Sequence, residues 1–225
     1  RHKPGERGNG WKVWELTDDS FPTCMYVSGD VYIGTYTGVY KYTLGDPGEI
    51  APVSRYEGTY LFTSIVVKED VYIGQGSSLK CLSRGLQERW SVRTRGPVLE
   101  LVLLSVGVVA RSVDNIEVFD FALRRLWQIK DKIRSVVGFG DKLFTLGEEK
   151  PGSSIQDVWC WKEGESRWCF RTHGADTLAV LEGRVIVGGI EGQIWRDGAE
   201  GYKKELVKSG GRVDLVCGMK DGTLM

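Results

Sequence analysis

The sequence predicts an all-β protein of repeated four-stranded blades, a β-propeller, and two periodic patterns predict it. The first is Leu79–Trp90 (LKCLSRGLQERW), which recurs as Ile116–Trp127 (IEVFDFALRRLW) and Val158–Trp168 (VWCWKEGESRW). Each copy is an alternating strand, a turn and a second strand carrying Trp. A short strand and a basic turn follow each Trp: WSVRTRG, WQIKDKIR and WCFRTHG. The second is the strand that precedes each copy. It reads DVYIG from both Asp30 and Asp70, with looser versions from Gly107, Lys142, Arg184 and Gly222. Those starts are 40, 37, 35, 42 and 38 residues apart. A period of about 38 is the size of one four-stranded propeller blade.

Each blade then runs inner strand, DVYIG strand, LKCL-type strand and Trp strand. Pro22–Ser28 is the first inner strand, and the others begin near Ser64, Val98, Arg134 and Asp176. Trp11–Leu16 (WKVWEL) reads as an outer strand whose partners come from Arg212–Met219 and Thr223–Met225. Pairing the N-terminal strand with the C-terminal strands closes the ring and removes open sheet edges, giving six blades. The last blade lacks a third strand, so either the chain continues or that blade has three strands. Residues 1–10 (RHKPGERGNG) read as a flexible basic tail, and residues 11–225 as a single propeller domain.

Composition sets the outer bounds. A chain of 225 residues, 41% of them hydrophobic, buries roughly 70% of its unfolded surface without a metal or disulfide staple. A formal net charge of zero argues against a general polyanion binder. Apolar runs stop short of the roughly 20 residues that span a bilayer. No membrane span and a cytoplasmic location are the expectation. Asn occurs only at positions 9 and 115, and Gln at five positions. That scarcity fits a thermophile, where labile amides are depleted, and equally a chain that is simply rich in strands.

The runs VYIGTYTGVYKYTLGDPGEI and LKCLSRGLQERWSV resemble the pyrroloquinoline-quinone-type (PQQ-like) propeller repeat. Leu79, Cys81 and Leu82 occupy its strand, Gly85 its turn and Trp90 its docking tryptophan. Trp14, Trp127 and Trp168 match the same tryptophan, and Tyr56 and Tyr202 replace it in two blades. Catalytic quinoproteins of this kind have eight blades, a calcium site and an Asp base, which this sequence does not supply. The resemblance therefore implies a noncatalytic member that, like WD-repeat propellers, is a rigid platform for protein partners, with no cofactor.

The residues themselves agree with a noncatalytic reading. Histidine is confined to His2 and His173, and no dinucleotide, Walker or HExxH motif is present. The signal that remains is charge. Turns from a Trp strand to the next inner strand share one rim, and they carry Arg93, Arg95, Lys130, Lys132, Arg134, Arg171, His173, Lys208 and Arg212. This candidate basic rim suits an acidic protein segment or, alternatively, a nucleic-acid backbone. Asp18, Asp19, Asp114, Glu148 and Glu191 interrupt it, and solvated turns with no partner are the competing reading. A small-ligand, sugar-binding or enzymatic propeller is a further alternative. Two long loops, Leu44–Arg55 and Glu148–Gln156, are expected to add contacts to the platform.

Cysteine and tryptophan positions add one register expectation. A turn at Gly164 and Glu165 sets Cys160 opposite Cys169, where either a cross-strand disulfide or two packed thiols would fit. The same register puts Trp159, Trp161, Trp168 and Phe170 on one face, an aromatic set expected to pack between blades.

Overall fold

The computed structural model describes residues 14–16, 21–43, 48–58, 61–149, 153–181, 183–190, 193–198 and 201–205, all strand, turn or loop. Among them, no helix is long and apolar enough to cross a membrane. Strand β1 (Trp14–Leu16) comes first. Strands β2 (Pro22–Ser28), β3 (Asp30–Thr35) and β4 (Gly38–Tyr42) begin the first blade, β5 (Gly48–Ile50) lies in a loop, and β6 (Ser54–Glu57) completes the blade. The second blade is β7 (Phe62–Val67), β8 (Val71–Gln75), β9 (Ser78–Leu82) and β10 (Glu88–Arg93). The third is β11 (Glu100–Leu104), β12 (Gly107–Arg111), β13 (Ile116–Phe119) and β14 (Arg125–Ile129). The fourth is β15 (Ile133–Phe139), β16 (Lys142–Gly147), β17 (Ile155–Lys162) and β18 (Glu165–His173). The fifth is β19 (Ala175–Leu181), β20 (Arg184–Gly189), β21 (Gln193–Gly198) and β22 (Gly201–Glu205).

Every one of these five sheets is an antiparallel meander, as the repeat predicts. Their inner strands β2, β7, β11, β15 and β19 touch in succession, so the sheets stack face to face about the inner edge. Apolar side chains of neighbouring sheets form the core at each junction. Tyr32, Phe62, Ile65 and Leu82 fill the first, and Leu79, Val98, Leu101 and Phe119 the second. Ile116, Val136 and Leu143 fill the third, and Phe144, Val158, Leu178 and Val187 the fourth.

The DVYIG glycine has a packing reason. A Cβ on Gly74 would stand 2.6 Å from Val98 Cγ1, and one on Gly34 would stand 3.1 Å from Phe62 Cβ. Each glycine makes room for the next blade's inner strand. Four of the five inner strands also begin with a bulge, in which Thr23, Thr63, Arg134 and Asp176 are the extra residues. Bulges re-aim a side chain, and here Thr23 reaches Phe62 O and Thr63 reaches Val98 O in the following blade.

The six-blade count and the expected closure do not appear among the described residues. Arg212–Met219 and Thr223–Met225 lie outside them, as does Trp11. The described end of the N-terminal strand, β1, runs parallel to β5 rather than completing a blade. Loop strand β5 offers unpaired backbone groups that an edge strand satisfies. The leading face of the first blade is correspondingly open. Met25 is 65% exposed, whereas its equivalents Ile65, Leu101, Val136 and Leu178 are 3–6% exposed.

The fourth-blade hairpin differs from its expected register. Lys162 pairs with Glu165, and the two-residue turn is Glu163 (φ 52°) and Gly164 (φ 85°). Two positive φ values in such a loop match the strand twist. Cys160 therefore faces Arg167, and Cys169 is the extra residue of a bulge. The direct Cys160–Cys169 opposition, which left a disulfide or two packed thiols open, is not formed; both are buried as thiols in one core cluster. The bulge also splits the expected aromatic face. Trp159 pairs with Trp168, while Phe170 pairs with Val158 and stacks on Trp195 at 4.1 Å in the fifth blade. A one-residue slip moves a side chain to the other face. Trp168 stays 49% exposed.

Candidate functional site

The described members of the predicted basic rim come together on one edge of the stack. Each outer strand ends there and each following inner strand begins there. Arg93 closes β10 and Arg95 follows it, Lys130 and Lys132 flank Asp131 between β14 and β15, and Arg171 and His173 end β18. Arg134 is the bulged residue of β15. Lys208 and Arg212 lie outside the described residues.

Ion pairing divides this set. Arg134 bonds Asp176 of the next blade, with Glu149 at 3.9 Å. Arg171 Nε lies 2.9 Å from Asp157 Oδ1, which also accepts from Trp168 Nε1 at 3.2 Å. These two arginines are committed to holding the rim together. Arg93, Arg95, Lys130 and Lys132 are exposed and make no ion pair among the described residues. The backbone N–H of Arg95 donates to Glu117 Oε2 at 2.7 Å and that of Lys132 to Asp131 Oδ1 at 2.8 Å; the buried carboxylate of Glu117 pairs with Arg125 at 2.6 Å. The sequence alternation identifies the cations but not their partners, because Asp157 meets Arg171 through the register of a hairpin and Asp176 meets Arg134 across a blade junction.

The two long loops occupy opposite rims. The loop between β16 and β17 lies beside the cations, whereas the loop between β4 and β6 lies at the other ends of the strands. One partner surface therefore takes in only the first of them.

A cleft of about 650 Å³ opens on the cationic rim between the first and second blades. Tyr56, Glu57 and Gly58 form one wall, and Gln75, Gly76, Ser77, Ser78 and Lys80 the other. Tyr56 donates to Glu88 Oε2 at 2.5 Å, and Lys80 Nζ bonds Tyr56 Oη at 2.7 Å and Glu88 Oε2 at 3.0 Å. The Tyr56 hydrogen bond, then the Lys80 ammonium, hold the Glu88 carboxyl below its ordinary pKa. Burial alone would lower the Lys80 pKa, but the bonds to Tyr56 and Glu88 outweigh it and raise it. Burial, then the Glu88 hydrogen bond, raise that of Tyr56. No motif pointed to this cleft, since its residues come from three strands and two turns.

Elsewhere a cavity of about 440 Å³ at the opposite rim is lined by Lys142, Cys160, Lys162, Glu163, Glu165 and Arg167, among others, with charges of both signs. Among the described residues, no group of three His, Cys, Asp or Glu side chains could hold a metal ion.

The architecture is that of a β-propeller. Solved structures establish it: 542 chains match in fold, and one is the crystal structure of the WD40 β-propeller domain of Doa1. That match has a TM-score of 0.68 at 12% sequence identity and covers 92% of this chain and 75% of that one. No family model matches the chain, and no curated protein matches it in sequence.

Proposed function

We propose that this chain is a noncatalytic propeller platform, a subunit of a larger assembly that binds protein through its cationic rim. The observation that carries the reading is that Arg93, Arg95, Lys130 and Lys132 are exposed on one rim without an ion-pair partner among the described residues. Arg134 and Arg171, by contrast, are spent on Asp176 and Asp157. Charges left free on a rigid scaffold are available to steer and hold an acidic partner. Propellers host many functions, so the fold sets the frame and the rim carries the argument. The loop from Glu148 to Gln156 borders the same rim and extends the surface.

Nucleic acid is the second reading, favoured by the same four cations. Asp114, Glu148 and Glu149 lie on that rim as well, and a phosphate backbone gains nothing from them. The two readings separate by salt and nuclease. Capture of partners from the native source at low and moderate salt identifies protein if the partners survive nuclease. Nucleic acid is identified if they vanish on nuclease treatment and fall steeply with salt.

A further inference from the structure

Gln75 is 8% exposed, lines the cleft between the first two blades and makes no hydrogen bond among the described residues. With no protein partner and the cleft in front of it, the amide's donors and acceptor are available to a molecule bound there. Its counterparts at the same rim are paired. Thr35 Oγ1 donates to Gly38 O at 3.1 Å and Ser112 Oγ to Asn115 O at 3.0 Å, each closing its own turn. In the fourth blade, Gln156 does something more informative. Its Nε2 donates to Ala175 O at 2.9 Å while its Oε1 accepts from Ala175 N at 2.7 Å. One buried glutamine thus reads both polar groups of an extended residue in the neighbouring chain segment.

The wall beside Gln75 supplies the rest of a site. Ser78 pairs with Arg93 and Lys80 with Ser91 across the β9–β10 ladder, and directly opposed residues point to the same face. Arg93 therefore stands on the cleft side. Lys80 spends two of its three N–H donors on Tyr56 and Glu88. One remains, on a side chain that lines the cleft together with Ser77 and Ser78. Of the carboxylates at the cleft among the described residues, Glu57 is an exposed side chain paired with Arg55 at 3.1 Å, and Glu88 is held by Tyr56 and Lys80.

We propose that this cleft binds an extended, acidic peptide segment of a partner protein. Gln75 pairs with one residue's backbone N–H and C=O as Gln156 pairs with Ala175, and Arg93 and Lys80 take a neighbouring carboxylate. The proposal rests on the platform reading and assigns it a peptide site between the first two blades.

The test pans a random twelve-residue peptide library, displayed on phage, against the immobilised chain. Sequences enriched in Asp or Glu are expected. One is synthesised with a fluorescein label and titrated against the wild type, Gln75→Leu, Gln75→Ala, Arg93→Glu and the pair Lys130→Glu/Lys132→Glu. Thermal melting verifies that each variant is folded. The Gln75 and Arg93 substitutions should weaken binding at least tenfold, more than the lysine pair, whose charges act on the acidic peptide only from outside the cleft. Replacing the peptide's Asp and Glu by Asn and Gln should abolish the Arg93 dependence. Binding indifferent to both Gln75 variants, or a wild type that enriches nothing, overturns the cleft assignment. Binding lost with the lysine pair but kept with the Gln75 variants also overturns the cleft, yet leaves the platform reading standing.

Discussion

Thr63 Oγ1, on the inner strand of the second blade, donates to the carbonyl oxygen of Val98, two residues before that of the third, at 2.6 Å. Thr23 makes the corresponding bond to Phe62 O one junction earlier. In both places the bulge turns an ordinary strand threonine toward the next blade. Thr63→Val keeps the shape and removes the donor, leaving a partly buried carbonyl unpaired. A loss of about 1 kcal/mol is expected, read as a lower urea midpoint, with Thr63→Ser close to wild type.

Gly74 and Gly76 should respond differently to alanine. A Cβ at Gly74 meets Val98 Cγ1 at 2.6 Å and Thr63 Oγ1 at 3.1 Å, whereas one at Gly76 meets nothing within 4 Å. Overpacking a junction costs about 1–3 kcal/mol. Gly76→Ala bears only the strain of its positive φ, roughly 1 kcal/mol. Melting temperatures of the two variants should fall in that order.

Cys81 is fully buried, and burial, followed by the neighbouring Asp70 charge, pushes its thiol pKa up to about 11. A raised thiol pKa means that the fold favours the protonated form. This contribution is present below the unfolded thiol's pKa and is lost as pH rises toward 11. Native protein at pH 8 should therefore leave Cys81 unmodified by iodoacetamide over times that label it fully in urea, as mass spectrometry of its tryptic peptide would show.

The Glu88 carboxyl is held low, so its contribution exists above the unfolded carboxylate pKa and disappears as pH falls through the lower folded value. Its side chain is 37% exposed, which limits the effect to at most about 1 kcal/mol. The stability difference between wild type and Glu88→Gln should be largest near pH 7 and shrink toward pH 3. Chemical denaturation at a series of pH values measures it.

Much of the architecture was legible because a propeller repeats its instructions. The DVYIG glycines marked the junctions, and the blade order followed from one phase assignment. What escaped was local and non-periodic. The fourth hairpin turns at Glu163 and Gly164, one residue earlier than counted, and an extra residue at Cys169 shifts the ladder again; nothing in the run WCWKEGESRWCF announces either. The rim cations were visible as a pattern, but their division was not: Arg171 meets Asp157 only in the hairpin's actual register, and Arg134 meets Asp176 only across a blade junction. Gln75 carried no signal at all, since its isolation comes from the turn it borders rather than from its neighbours in sequence.

The central claim is that the four uncommitted rim cations hold a protein partner. Its most direct measurement compares the wild type with the variant Arg93→Glu/Arg95→Glu/Lys130→Glu/Lys132→Glu. Both would be tagged, expressed in the native source and captured after nuclease treatment, with bound proteins quantified by mass spectrometry. The account predicts partners that survive nuclease on the wild type and are depleted at least tenfold on a variant of unchanged melting temperature. Equal recovery on both, or loss of every wild-type partner on nuclease treatment, would contradict it.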